Sequence, residues 1–286
     1  MKTLKYFFES IVIFILLFLF KLLGYEKASN FGENVGRVIG PLLRSKKQIL
    51  NNLEKSNIGI DGKEREKIIG NMWGNYGRIL AEYPYLKKFK KNELNDFIEV
   101  NGLEILNEIK KNNKQVVFIS GHFNNFELMA MQIENFGISL AAIYRPLNNF
   151  FLNNYMEKIR KKHICKKQIK KGKTGTRELI KLFKDGYSIA LMIDQRVSEG
   201  IEVKFFNREC STTTIPAQLA KKYGCEIVPV YICRKNNIKF KINFEKPLKF
   251  EKNETQEKIT LELNKILEKM ILNNPDQWIW SHNRWK

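Results

Sequence analysis

Cysteine and histidine are scarce in this 286-residue chain, with four of the first and three of the second. Cys165, Cys210, Cys225 and Cys233 form no C-x-x-C pair and stand at no metal-ligand spacing from a histidine. That pattern argues against a zinc site and for idle thiols in a reducing compartment. No G-x-S-x-G nucleophile elbow occurs, so an acyl-enzyme of that kind is not expected. Internal repeats and long low-complexity linkers are missing too. Negative charge is in the minority: 30 Asp and Glu against 50 Lys and Arg, a formal net charge of +20. A balance that basic favours acidic partners such as nucleic acid, an anionic lipid surface or an acidic carrier protein. Biased genome composition, rich in Lys, Asn and Ile, is the alternative source of the charge.

What is present is globular. With 43% hydrophobic and 28% charged residues, the chain can bury a sizeable core, as one large domain or a core with an appendage. Residues 11–20 form an unbroken apolar run, with Glu9 before it and Lys21 after it. Ten helical residues rise roughly 15 Å, about half of a ~30 Å hydrocarbon core. No small-x-small cleavage site follows, which disfavours a removed signal peptide. A tilted span, a monotopic anchor and a buried core helix stay open, with membrane association expected. The excess of Lys and Arg after the run favours a cytoplasmic body.

From Ser29 onward, apolar residues recur at helical spacing: Phe31, Val35, Val38, Ile39 and Leu42, then Ile68, Ile69, Trp73, Tyr76 and Ile79 up to Pro84. Residues 92–98 and 104–111 extend a mainly helical first third. Apolar runs at 116–119, 140–144, 189–193 and 227–233 then read as strands separated by helices, buried on both faces of a largely parallel sheet. Alternation at Ile238, Phe240, Ile242 and Phe244 predicts an edge strand. A last amphipathic helix is expected over 255–273, stopped by Pro275. The fold class is therefore α/β, a mostly parallel central sheet flanked by helices. Three units are expected: an anchor at 1–24, a helical region packed on the core at 25–112, and an α/β core at 113–286.

The segment Ser120-Gly121-His122-Phe123-Asn124-Asn125-Phe126-Glu127 carries the clearest chemistry. A histidine just past a strand end, with a carboxylate five positions on, fits a general base and its orienting partner. On one continuous helix the two would point about 140° apart, so His122 must sit in the turn and Glu127 in the first helical turn. The bland alternative is a capping box, Asn124-x-x-Glu127, in which the glutamate merely satisfies a backbone N–H.

Further segments follow in order: Tyr144-Arg145-Pro146-Leu147-Asn148-Asn149, Asp194-Gln195 at a strand end, Gly200 to the paired Phe205-Phe206, Thr213-Thr214-Ile215-Pro216-Ala217, and a closing Gln277-Trp278-Ile279-Trp280-Ser281-His282-Asn283-Arg284-Trp285-Lys286. Together these resemble the bacterial lipid A biosynthesis (late, lauroyl/myristoyl) acyltransferases over nearly the whole chain. The resemblance implies a glycerolphosphate-acyltransferase-like core. It also implies transfer of a fatty acyl group from acyl-carrier protein or acyl-CoA to a hydroxyl of a lipid A precursor, at the cytoplasmic face of the inner membrane. On that pattern His122 is the base and Glu127 its partner; related glycerolipid acyltransferases place aspartate at the Glu127 position. Arg145, Asn149, Asp194, Gln195, His282 and Arg284 become substrate-binding or oxyanion candidates. Arg145 read alone is a surface arginine at a strand end, and Asp194 a turn residue. The thioester is already activated, so no cofactor or metal is expected. Asn207 stands where the pattern leads one to expect glycine.

The basic run Arg160-Lys161-Lys162, Lys166-Lys167, Lys170-Lys171 and Lys173 would dock the carrier protein or the anionic lipid, or is a solvated face. Its aromatics are too few for nucleic acid, and Trp278, Trp280 and Trp285 read as packing or interfacial residues. Two other readings compete: acylation of another acceptor (lysophospholipid, ornithine lipid or glycolipid), and a non-catalytic basic membrane-anchored binding protein.

Overall fold

The computed structural model describes residues 2–286. Helices dominate its start: α1 (Lys2–Leu23), α2 (Tyr25–Leu43), α3 (Lys46–Ser56), α4 (Gly62–Glu82) and the short α5 (Leu86–Lys90). The core follows as β1 (Ile98–Asn101), α6 (Leu103–Lys111), β2 (Val117–Ser120), α7 (Glu127–Asn135), β3 (Leu140–Tyr144), α8 (Phe150–Ile159), β4 (Lys167–Lys170), α9 (Lys173–Lys184) and β5 (Ser188–Met192). It is completed by β6 (Ile201–Phe205), β7 (Arg208–Thr212), α10 (Ile215–Tyr223), β8 (Ile227–Lys235), β9 (Lys239–Phe244) and α11 (Gln256–Asn273).

Seven strands form one sheet in the order β1-β9-β8-β2-β5-β3-β4, parallel at every pairing except β8 with β9. The central strands are apolar because both of their faces are covered: every residue of β2 is buried, and so is β8 up to Arg234. The chain leaves β2 toward β3 and leaves β5 toward β8, in opposite directions across the sheet. Such a reversal opens a crevice at the carboxyl ends of those strands.

Two sequence expectations need correction here. Residues 98–101, placed in the helical third, pair with β9 as the sheet's edge, so the region before residue 112 contributes a strand to the core. The alternating segment at 239–244 is consequently an inner strand between β1 and β8. Each strand of β1 and β4 is only four residues long, too short for a pattern to show.

In the β6–β7 hairpin, Phe206 and Asn207 have φ of 50° and 58°. A two-residue turn of this hand needs positive φ at both positions, which is why glycine is the default there and why asparagine is tolerated.

Helix α4 is brought against α2 by a seam of glycines. A Cβ on Gly36 would lie 2.2 Å from the Trp73 carbonyl oxygen, and one on Gly77 would lie 1.9 Å from that of Gly32. The close approach fixes the rotation of α4, whose other face reaches the site.

Helix α1 is long and apolar enough to cross a membrane, with a mean hydropathy of 2.3 and 17% of its window buried. Its inner side seats Ser10, Leu17 and Phe20. Polar ties clamp it to the body: Tyr85 Oη donates to the Phe20 carbonyl at 2.6 Å, and Asn149 Nδ2 to that of Tyr6 at 2.8 Å. Phe8, Val12, Ile15, Phe18 and Leu22 form an exposed outer stripe.

Candidate active site

Strand register brings a histidine and an aspartate together. Strands β2 and β5 are parallel neighbours with Ser120 opposite Met192, and Ile193 N donates to the Ser120 carbonyl at 2.9 Å. Each chain then runs two residues further, to His122 and Asp194. Asp194 is fully buried and accepts three hydrogen bonds: from His122 Nδ1 (2.8 Å), from the His122 backbone N–H (2.8 Å) and from Trp278 Nε1 (2.9 Å). Burial alone would raise its carboxyl pKa, but the His122 charge and these bonds outweigh it and hold the group at about 2. With Asp194 ionised, Nδ1 carries the ring proton and Nε2 is left free to accept one.

Glu127, expected as the partner of His122, is engaged elsewhere. Its Oε1 accepts from Tyr83 Oη at 2.5 Å and from Arg160 Nε at 2.7 Å, and Arg160 Nη2 lies 2.6 Å away. The reason is geometric: Glu127 opens α7 and faces the π-helical turn Arg160–Ile164, away from β5. The alternative capping box is not formed either, since α7 starts at Glu127 with Phe126 before it. Arg160, counted with the basic run, is consequently a half-buried ion-pair partner.

The loop carrying His122 is pinned on both sides. Asn124, at φ 40°, donates to Gln277 Oε1 at 2.7 Å, and its N–H to the Gln277 carbonyl at 3.2 Å. Asn125 Nδ2 donates to Glu82 Oε2 at 3.0 Å, and Glu82 also holds Arg234 Nη1 at 2.6 Å. A buried ion pair and two carboxamides thereby fix where the imidazole sits. His122 then borders a small cleft lined by Met72, Asn75, Tyr76 and Ile79 of α4 together with Phe126, Trp278 and Ile279. The i, i+3, i+4, i+7 spacing of the α4 residues puts them on one helix face. The cleft is narrow, mostly apolar and open at the imidazole.

The other candidate residues divide. Gln195 joins the site, its Nε2 lying 3.5 Å from His122 Nδ1. His282 lies nearby, with Nε2 accepting from Arg196 N at 3.2 Å; burial lowers its pKa to about 4 against the opposing pull of the Asp194 charge, with His122, Arg284 and Lys171 adding to the lowering. Arg145 follows β3 at the same sheet edge and is exposed. Asn149 is no pocket residue: its Oδ1 caps α8 through the N–H groups of Phe151 and Leu152 and accepts from Ser10. Arg284 is also structural, fully buried over the Phe205 ring, donating to the Ser211 carbonyl (2.8 Å) and Thr212 Oγ1 (2.7 Å). Sequence reasoning missed Trp278 as a ligand of the carboxylate and Asn124, Gln277 and Glu82 as anchors of the loop.

The site is thus a histidine–aspartate pair at the carboxyl edge of a parallel sheet, facing an apolar cleft, where ligands of open α/β sheets bind. Residues 1–286 match the bacterial lipid A biosynthesis acyltransferase family, and the chain belongs to it: it is an acyltransferase of the late lipid A type. It is similar to the lipid A biosynthesis palmitoleoyltransferase of Escherichia coli (strain K12), 26% identical over 94% of this chain and 88% of that one. The lauroyltransferase of the same organism is 24% identical over 92% of this chain and 87% of its own. Among solved structures, the 1-acyl-sn-glycerophosphate acyltransferase PlsC of Thermotoga maritima is 15% identical at a TM-score of 0.44, with 90% of this chain and all of that one covered.

Proposed function

We propose that the chain moves a fatty acyl group from a thioester, carried by acyl-carrier protein or CoA, directly to a hydroxyl of a lipid A precursor. The observation that carries this reading is the His122 ring, held by Asp194 and exposed to the apolar cleft beside Ile79 and Phe126. His122 Nε2 takes the hydroxyl proton as the oxygen attacks the thioester carbonyl. The tetrahedral oxyanion then collapses, expels the thiolate, and the imidazolium returns the proton to sulfur. An activated base contributes roughly 10²–10⁴ in rate. Gln195, beside the ring at Nδ1, is a candidate donor to the oxyanion. Glu127 serves through Arg160 and Tyr83 by fixing how α7 packs on the π-helical turn.

The donor approaches from the β3–β4 edge. Exposed Arg145 stands there, with Lys171 close enough for the two charges to repel, and β4 brings Lys167 and Lys170 alongside. A cationic rim suits an acidic carrier protein. The exposed stripe of α1 associates the enzyme with the inner membrane, the body facing the cytoplasm.

The test is direct. Purified protein is mixed with acyl-carrier-protein thioester or acyl-CoA and a lipid A precursor, and the product is weighed for the gain of one acyl group. A lysophospholipid is run beside it. Transfer to the lipid A precursor that His122→Ala abolishes is expected; transfer only to the lysophospholipid, or a fully active His122→Ala protein, overturns the reading.

A further inference from the structure

On the far side of Gln277 from His122 lies a second, polar cavity of about 190 Å³. It adjoins the apolar cleft directly, because Asn75 and Gln277 line both. Five carboxamides face it: Asn71, Asn75, Asn236, Asn237 and Gln277. Its charges are matched. Arg37 and Arg78 share Glu33, Arg234 is paired with Glu82 at 2.6 Å, and Asp276 accepts from Asn71 at 2.9 Å. Among the described residues, the three guanidinium groups of this wall therefore meet two carboxylates on it, Glu33 and Asp276, and a third behind it, the buried Glu82 that neutralises Arg234.

That balance selects the occupant. A phosphate is held best where donors carry surplus positive charge; here it would have to displace Glu33 or Glu82. Carboxamides offer a donor and an acceptor each, and paired carboxylates accept from hydroxyls while paired guanidinium groups donate. The chemistry complementary to such a wall is neutral and rich in hydroxyl and amide groups. Two molecules in the reaction offer it, the sugar head of the acceptor and the pantetheine arm of the donor. The cationic rim for the donor lies across the sheet at β3–β4, so the acceptor is the one left to enter here.

Resting on the proposed reaction, we infer that this cavity is the acceptor's subsite and binds the uncharged hydroxyl- and amide-bearing face of its sugar head. Asn75 and Gln277 mark the passage from that head to the reacting hydroxyl at His122. The site also connects to the catalytic loop, since Gln277 Oε1 accepts both from Asn124 and from the Arg234 N–H.

Asn236 and Asn237 form the rim, at φ of 46° and 65°. Replacing both by glycine deletes two carboxamides while keeping a backbone conformation that glycine adopts freely. Saturation-transfer NMR on the full chain in detergent, with N,N′-diacetylchitobiose as probe, reads the cavity without turnover. Wild type and His122→Ala should both give a signal that falls several-fold in the Asn236→Gly/Asn237→Gly protein. In acyl transfer the same double variant should raise KM for the acceptor about tenfold, the loss of two ordinary hydrogen bonds, with kcat and the donor KM unchanged. No signal from wild type, an equal signal from the variant, or a disaccharide signal that inorganic phosphate or pantetheine abolishes at a concentration well below the disaccharide's overturns the assignment. A wild type that binds the disaccharide yet transfers nothing removes the catalytic reading and leaves this one standing.

Discussion

Asp194→Asn alters the site by the smallest step that should disable it. The Asp194 carboxylate accepts from the His122 N–H and Trp278 Nε1 on one oxygen and from His122 Nδ1 on the other. An asparagine oriented by the first two keeps its carbonyl oxygen there and turns its NH₂ toward the imidazole. That group can only donate, so Nδ1 must shed its proton and Nε2 must carry it. The base is then occupied before the hydroxyl arrives. The expected loss in kcat is about 10³–10⁴-fold, equal to about 4–5.5 kcal/mol of barrier, with KM little changed. The fold should survive, since two of the three hydrogen bonds do. Single-turnover transfer, followed by mass with both substrates saturating, measures it. An Asp194→Asn protein within tenfold of wild type would refute the reasoning. The refutation would be complete if Glu127→Gln, at unchanged melting temperature, abolished transfer instead.

Two further outcomes follow from the same geometry. The pKa of His282 is depressed to about 4 from 6.5, so between those values the unfolded chain binds a proton that the folded one refuses. Stability should therefore fall as pH drops from about 6.5 to about 4, by about 1–2 kcal/mol once partial exposure is discounted; denaturant titrations at the two ends measure it, and a His282→Gln protein with the same slope as wild type would contradict it. In the apolar cleft, Ile79→Trp adds bulk to the α4 wall; a series of donors of increasing chain length should show activity moving toward shorter chains, and an unchanged preference would place the acyl chain elsewhere.

Much of the fold is legible because burial writes itself into the sequence. Strands covered on both faces must be apolar throughout, and β2, β3, β5 and β8 all appear as such runs, within a residue or two of their ends. The edges are not legible for the opposite reason. Strand β4 reads Lys-Gln-Ile-Lys with only Ile169 buried, so one apolar residue among lysines looks like a basic surface run. Strand β1 likewise buries little and follows directly on helices. The glycine seam between α2 and α4 is visible as Gly32, Gly36 and Gly40 at four-residue spacing, although its partners in α4 emerge only from the packing.

The histidine–aspartate pair shows where local reading stops. A search for the partner of His122 along the chain finds Glu127, five residues away, because proximity in sequence is the only proximity a sequence displays. The carboxylate that meets the ring is 72 residues distant. Yet its position follows from three facts that are local one by one: an apolar strand ends at Ser120, another at Met192, and each is followed two residues later by a side chain able to ionise. Once the strands are laid side by side in parallel, register alone places His122 opposite Asp194. The missing step was which strands are neighbours, and chain order misleads there, since β5 inserts between β2 and β3. Glu127 keeps its place at the site for a different reason. Its carboxylate, at the first turn of α7, is the ion-pair partner of Arg160. The two acids thus have separate partners, Asp194 the imidazole and Glu127 the guanidinium of Arg160.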